Sequence, residues 1–356
     1  MMEIKVTLTD HPKAKPDQNK LGFGRHFTDH MFLMDYTAGK GWHDPRIVPY
    51  GPITMDPCCA CLHYAQEVFE GLKAYRTADG QVQLFRPQEN FKRLNTSCDR
   101  LVIPHLDEEF CLEALKKLIE IEKDWVPSVP GASLYIRPFI IARQEVLGVH
   151  PSVSYLYCVI LSPSGDYYAN GLAPVKIYVE TNYVRAASFG GMGAYKTGGN
   201  YAASLIAQEE AERQGYDQAL WLDGVERKYV EEVGSMNVFF KIDGEIITPN
   251  LDGSILPGIT RKSAIQLLAD WGMKVTERKL SIQELEQAAR EGKLDEAWGT
   301  GTAAVISPIG ELKCGDTVTI INDNKIGPVS QRLFDTLTGI QWGRLPDPHN
   351  WIVPCC

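Results

Sequence analysis

Apolar residues fall into short runs in the first half of this 356-residue chain, and these runs predict strands. Residues 73–77 and 81–86 flank the turn Ala78-Asp79-Gly80 and therefore predict a β-hairpin. Residues 133–142 and 154–161 predict two further strands. The second of these is almost continuously apolar, which is typical of a strand buried on both faces.

Apolar residues spaced three and four apart predict two helices in the same half, over residues 90–101 and 107–125. In the second half, strand and helix patterns alternate. The predicted strands are 175–180, 218–223 and a hairpin over 238–248 that turns at Asp243-Gly244. The predicted helices are 200–213, 260–271, one that opens at the capping box Ser281-Ile282-Gln283-Glu284, and 328–342.

Two mixed α/β domains account best for this pattern and for a length that exceeds one ordinary core. Residues 162–174 collect Pro, Gly, Ser and Asn and are the best linker candidate. We predict a smaller N-terminal domain over 1–168, an interdomain linker over 169–183 and a larger C-terminal domain over 184–356.

Charge and hydropathy narrow the class of function. The formal net charge of -9 provides no basic field for nucleic acid or anionic lipid, so we expect neither partner. The longest apolar runs are far shorter than the roughly 20 residues that span a bilayer. The N-terminus carries neither an apolar leader nor an Arg-rich amphipathic pattern, which predicts a cytoplasmic protein.

The nine cysteines are crowded, as in Cys58-Cys59-Ala60-Cys61 and Cys355-Cys356, unlike a spaced disulfide framework. We expect reduced thiols. The first cluster with His63 would form only one corner of a zinc site, so no metal is expected.

One lysine, Lys196, lies among five glycines in GGMGAYKTGGNY, residues 190–201. Glycine at these positions permits close backbone approach to a bulky group, although a flexible surface loop has the same composition. A phosphate-binding P-loop is a further alternative, because Gly190, Lys196 and Thr197 have its spacing. Tyr195 argues against it, since the P-loop needs glycine directly before the lysine.

The extended segment GGMGAYKTGGNYAASLIAQ resembles the cofactor-lysine segment of branched-chain aminotransferases, a group of fold-type IV pyridoxal-phosphate enzymes. Other segments resemble the same family in the same order over about residues 20–345. They are FGRHFTDHMF (23–32), GWHDPRIVPY (41–50), LHYAQEVFEGLKAY (62–75), LFRPQENFKRL (84–94), SLYIRPFIIA (133–142), VEEVGSMNVFF (230–240), SILPGITRKS (254–263) and WGTGTAAVISP (298–308).

This resemblance implies a two-domain, mixed α/β fold with the active site between the domains and pyridoxal 5'-phosphate as cofactor. Lys196 would hold the cofactor as a Schiff base and transfer the proton. Glu231 and Glu232 both offer a carboxylate for the pyridine nitrogen; the family pattern selects Glu232, and alternation along the strand predicts a solvated Glu231. The remaining implied cofactor residues are Arg93, Ile259, Thr260 and Thr302 around the phosphate and Tyr201 at the ring, with Arg185 near them.

The resemblance also implies which residues contact the substrate. Phe23, Tyr64, Tyr135 and Tyr167 would form the side-chain pocket with Arg137 behind it, and Ser235 and Ala303 would receive the α-carboxylate. Without the resemblance, such aromatic residues are more often core.

The implied reaction is reversible, ping-pong transamination of L-leucine, L-isoleucine and L-valine with 2-oxoglutarate, giving glutamate, by a homodimer. The alternatives are another fold-type IV activity, D-amino-acid aminotransferase or aminodeoxychorismate lyase, and a non-catalytic cofactor-binding protein. The strand with Tyr135 and Arg137 and the segment VEEVGSMN argue against the first two, and an intact set of Lys196, Glu232 and Arg93 argues against the third.

Overall fold

A computed structural model describes residues 2–165 and 171–356. The strands, numbered along the chain, are β1 Lys5–Val6, β2 His30–Thr37, β3 Gly41–Pro49, β4 Glu67–Phe69, β5 Leu72–Arg76, β6 Val82–Phe85, β7 Ser133–Ala142, β8 Ser154–Ser164, β9 Val175–Glu180, β10 Gln218–Leu222, β11 Val230–Val233, β12 Met236–Ile242, β13 Glu245–Thr248, β14 Val275–Glu277, β15 Leu294–Gly301, β16 Val305–Cys314, β17 Thr317–Ile320 and β18 Ile352–Pro354. The helices are α1 Ala60–Tyr64, α2 Pro87–Leu101, α3 Glu108–Ile121, α4 Gly198–Ala203, α5 Leu205–Arg213, α6 Ile259–Asp270, α7 Ile282–Arg290 and α8 Pro328–Gln341, with 3-10 turns at Lys123–Trp125 and Asn322–Asn324.

The chain divides into two compact units. Unit 1 comprises Met1–Ala169, Tyr195–Gly198 and Gly339–Cys356, and unit 2 comprises Asn170–Ala194 and Gly199–Thr338. Two segments differ from the predicted domains, because 195–198 and 339–356 were assigned by sequence to the C-terminal domain.

The sheet of unit 1 has the order β1-β3-β2-β8-β7-β5-β6-β18, and β4 pairs with β7. The predicted hairpin over 73–86 is confirmed as β5 and β6, which pair antiparallel. Helix α2 begins with Pro87 at its first turn, and α3 begins at Asp107, whose side chain accepts a hydrogen bond from the Phe110 N–H. The apolar faces of both helices join the sheet in one core, which includes Phe91, Leu94, Leu115, Leu118, Ile136 and Tyr157.

The sheet of unit 2 has the order β11-β10-β9-β16-β15-β12-β13-β14, and β17 pairs with β16. Because β11 also pairs with β12, six of these strands form a closed ring. The predicted turn at Asp243-Gly244 is confirmed: both residues have positive φ between β12 and β13, as a two-residue hairpin turn requires. Strand β9, predicted over 175–180, lies inside the range 169–183 that the sequence also assigned to the interdomain linker.

One predicted helix is divided in two. The apolar spacing predicted a single helix over 200–213, whereas α4 ends at Ala203 and α5 begins at Leu205. Ser204 separates them, and its N–H and hydroxyl both donate to the Tyr201 carbonyl, at 3.2 and 2.8 Å. Serine competes for backbone acceptors in this way and thereby interrupts regular helices.

Candidate active site

The backbone of Lys196 is held on two sides within unit 1. Its N–H donates to Ser97 Oγ at 2.9 Å, and its carbonyl accepts from the Phe69 N–H at 3.1 Å. The next residue, Thr197, forms a β-bridge with Val68. The loop therefore lies against strand β4 and helix α2. Gly198 lies directly against the Glu67 carboxylate, so a side chain at position 198 would displace the end of the Glu67 side chain.

The amine of Lys196 lies 4.8 Å from the centroid of the Phe69 ring. Glu70, the next residue on the chain, carries a negative charge that acts on this amine. Burial by itself would raise the pKa of the Glu70 carboxyl, but Arg93, with a smaller contribution from Lys196, holds that pKa below its ordinary value. Glu70 is consequently ionised in the neutral range, and it directly follows Phe69, whose ring the Lys196 amine faces.

Arg93 and Glu70 form a bidentate ion pair. Arg93 Nε lies 2.7 Å from Glu70 Oε1, and Arg93 Nη2 lies 3.0 Å from Oε2. Both side chains are buried. Two planar groups joined at two points leave little rotational freedom, so the guanidinium has one defined orientation.

A second cation, Arg137, lies among aromatic rings of unit 1. Its guanidinium is 4.9 Å from the Phe69 ring centroid and 5.3 Å from that of Tyr135, and Nη2 donates to the Tyr135 hydroxyl at 3.0 Å. Phe23 packs edge-on against Tyr135 at 4.9 Å. The buried Nε of Arg137 has no hydrogen-bond partner among residues 2–165 and 171–356. A donor buried in this way can bind an anion that enters the aromatic group.

One predicted pocket tyrosine, Tyr64, is not part of this aromatic group. Tyr64, at the end of α1, is 43% exposed, and its hydroxyl donates to the Leu147 carbonyl at 2.5 Å. Tyr167 lies outside the described residues.

In unit 2, Glu232 is 3% exposed and has several partners. Its Oε2 lies 3.1 Å from Arg185 Nε, and its Oε1 accepts from the Leu256 N–H at 2.9 Å and from Asn237 Nδ2 at 3.3 Å. Arg185 also donates to the Ser254 carbonyl. A buried carboxylate held by these groups can stabilise a proton on a nearby nitrogen.

The prediction that Glu231 is solvated was wrong. Glu231 is 4% exposed, and its Oε1 accepts from the Ser254 hydroxyl at 2.5 Å. Alternation assumes that one face of the strand meets water, but all four residues of β11 are buried within the closed ring. Burial raises the pKa of the Glu231 carboxyl. Glu231 and Glu232 are therefore both buried, and they differ in the residues that contact their carboxylates.

Other predicted residues gather at one end of the unit 2 sheet. Ser235 lies in the turn between β11 and β12, and Thr302 and Ala303 lie in the turn between β15 and β16. The register pairs Asn237 with Thr300, which brings both turns to the same end. Ile259 and Thr260 begin helix α6. The preceding Gly258 lies so close to the Asn237 side chain that a Cβ at position 258 would collide with it. The start of α6 therefore lies near the same end of the sheet. Tyr201 is half-buried in α4.

Phe69, Glu70 and Ser97 contact predicted site residues of unit 1 and were not identified from the sequence. Phe69 and Glu70 stand in the quoted segment LHYAQEVFEGLKAY, and Ser97 follows Arg93 by four residues, which places both on one face of α2. The helical spacing was therefore an available signal for Ser97.

Among residues 2–165 and 171–356, no helix is long and apolar enough to cross a bilayer. The same part of the chain contains no group of three or more His, Cys, Asp or Glu side chains suited to a metal ion.

Comparison with known proteins identifies the family. A model described as amino-transferase class IV matches residues 67–312. Branched-chain-amino-acid aminotransferase 2 of Bacillus subtilis (strain 168) is 59% identical over 348 residues, which cover 98% of this chain and 96% of the relative. The crystal structure of the Escherichia coli branched-chain amino acid aminotransferase matches with a TM-score of 0.77 and 28% identity, over 91% of this chain and 98% of that one.

A third match is the T.th. branched-chain amino acid aminotransferase with pyridoxamine 5'-phosphate, with a TM-score of 0.75 and 28% identity over 90% of this chain and 97% of that one. The predicted mixed α/β fold of a fold-type IV aminotransferase is thus confirmed. Since both the family model and relatives of nearly the same length match, the chain belongs to the class IV aminotransferases, within their branched-chain-amino-acid aminotransferase group.

Proposed function

We propose that this protein transfers the amino group of L-leucine, L-isoleucine or L-valine to 2-oxoglutarate, reversibly, with pyridoxal 5'-phosphate as its cofactor. The observation that carries the proposal is the aromatic group around Arg137, adjacent to Lys196 through the shared ring of Phe69. Aromatic walls suit a branched aliphatic side chain, and a buried guanidinium suits the second carboxylate of glutamate. Relatives named for this activity support it.

Each unit offers groups that suit the proposed cofactor. In unit 1, Lys196 offers an amine and Arg93 a guanidinium of defined orientation. In unit 2, Glu232 offers a buried carboxylate 3.1 Å from Arg185. The N-terminus of α6 and Thr302 offer further donors for a phosphate. Bound pyridoxal phosphate would supply an aldehyde that reacts with amines and a ring that withdraws electrons from the substrate Cα.

The residues of this chain would then have separate tasks. Lys196 binds the aldehyde and moves the proton to and from the substrate Cα. Glu232 holds a proton on the ring nitrogen. Arg93, Ile259, Thr260 and Thr302 bind the phosphate, and Tyr201 contacts the ring.

Substrate recognition falls to the remaining residues. Phe23, Tyr135 and Arg137 accept the side chain, and Ser235 and Ala303 receive the α-carboxylate. The assignment of Tyr64 and Tyr167 to the substrate site rests on the family resemblance, and Tyr64 lies apart from the aromatic group around Arg137. A cytoplasmic homodimer whose only other partners are small molecules completes the proposal, and light scattering and cell fractionation test these two properties.

The activity test compares initial rates with leucine, isoleucine, valine and D-alanine, with 2-oxoglutarate as acceptor, and with aminodeoxychorismate alone. We expect the branched-chain substrates to exceed D-alanine by at least about 100-fold, because the opposite configuration misplaces the Cα proton relative to Lys196. A preference for D-alanine, or release of pyruvate from aminodeoxychorismate, would assign the protein to a different fold-type IV activity.

A further inference from the structure

Glu70, which directly follows Phe69, is a deeply buried carboxylate. Its side chain is 1% exposed, and it follows strand β4. Besides the two nitrogens of Arg93, its Oε2 accepts from Asn90 Nδ2 at 2.9 Å and from the Gly71 N–H at 3.1 Å. Four donors therefore hold one carboxylate, which fixes its position and compensates for its burial.

The contact with Arg93 has a defined shape. Glu70 binds the edge of the guanidinium formed by Nε and Nη2. Because the group is planar, that contact also determines the direction of the third nitrogen, Nη1. An arginine side chain has several rotatable bonds and loses rotamer entropy when it is ordered. The two-point contact with Glu70 imposes this order on Arg93.

We propose that Glu70 is a positioning residue that orients Arg93 for the cofactor phosphate. The inference rests on the proposed function, since it takes pyridoxal phosphate as the ligand. Glu70 also neutralises part of the positive charge of Arg93, which weakens the attraction of Arg93 for a phosphate. Neutralisation and positioning therefore have opposite effects on phosphate binding. If neutralisation dominates, removing the charge of Glu70 strengthens binding; if positioning dominates, it weakens binding.

The experiment separates these effects by measuring how much the phosphate contributes to affinity. Purified protein stripped of cofactor is titrated with pyridoxal phosphate and, separately, with pyridoxal, which lacks the phosphate, and the two Kd values are divided. In Glu70→Gln we expect the ratio of the pyridoxal Kd to the pyridoxal phosphate Kd to fall at least about 10-fold, the effect of losing a charge-assisted two-point contact. Glu70→Gln in an Arg93→Met background should cause no further fall.

Glu122→Gln is the matched control. Glu122 is also buried in unit 1 and also pairs with a side chain, the His30 ring, but not with Arg93. Its loss should leave the ratio unchanged even if the melting temperature falls. If Glu70→Gln does not fold, Glu70→Asp replaces it in the experiment. Aspartate keeps the charge but is too short to contact both nitrogens of Arg93, so we expect the ratio of the two Kd values to fall at least about threefold.

Two results would overturn the inference. A wild-type ratio near one would mean that the phosphate is not recognised, and the proposed function would fail with it. A high wild-type ratio that is unchanged or increased in a folded Glu70 variant would contradict the positioning role of Glu70 but not the proposed function.

Discussion

Glu232→Gln is expected to lower turnover by about 10²- to 10³-fold while the cofactor stays bound. The amide keeps the shape of Glu232 and can still accept from the Leu256 N–H, but it lacks the charge that faces Arg185. A neutral side chain no longer favours a protonated ring nitrogen, whereas the phosphate partners Arg93, Thr260 and Thr302 are untouched. Single-turnover rates and the visible absorbance of the bound cofactor measure the two properties separately.

The adjacent residue provides the matched control for this substitution. Glu231 is also buried and lies on the same strand. Its carboxylate accepts a hydrogen bond from Ser254, whereas the carboxylate of Glu232 pairs with Arg185. Glu231→Gln should change turnover by less than about threefold, whatever its effect on stability. Full activity in Glu232→Gln together with loss in Glu231→Gln would show that the roles of the two glutamates are reversed.

Arg137→Met is expected to damage one half-reaction far more than the other. The side chains of leucine and glutamate differ by a full charge, and a buried carboxylate without a partner costs several kcal/mol. Loss of a charge-assisted hydrogen bond should cost the 2-oxoglutarate half-reaction about 2 to 3 kcal/mol, or roughly 30- to 150-fold. With leucine bound, the contacts of Arg137 with Tyr135 and Phe69 keep the guanidinium partly satisfied.

Single-turnover rates with leucine and with 2-oxoglutarate test this directly. Arg143→Met is the control, because Arg143 follows the same strand but binds the Thr54 carbonyl and Asp35. Equal losses in both half-reactions of Arg137→Met would mean that Arg137 only supports the fold.

Local patterns predicted the regular elements well. The hairpin of β5 and β6, the strand β7 and the cap of α7 at Ser281 each depend on residues close together in sequence. Such features need only turn chemistry and periodicity. The division of the helix at Ser204 was missed because serine in a helical pattern is ambiguous until its hydroxyl finds an acceptor.

Features that depend on distant residues were not predictable in the same way. The burial of Glu231 follows from ring closure between β11 and β12 and from its contact with Ser254, 23 residues later. The pairing of Glu70 with Arg93 likewise joins residues 23 apart. The resemblance drew attention to Arg93 because its ligand chemistry is recognisable, whereas Glu70 contacts Arg93 and has no motif of its own.

The central claim, that Lys196 carries the cofactor, has one direct test. Purified protein is treated with borohydride, which reduces the bond between an amine and a bound aldehyde to a stable one, and the digested peptides are identified by mass spectrometry. The protein should be yellow before treatment, and the peptide containing Lys196 should carry one reduced cofactor. A reduced cofactor on any other lysine, or a colourless protein that forms no adduct after incubation with pyridoxal phosphate, would contradict the account.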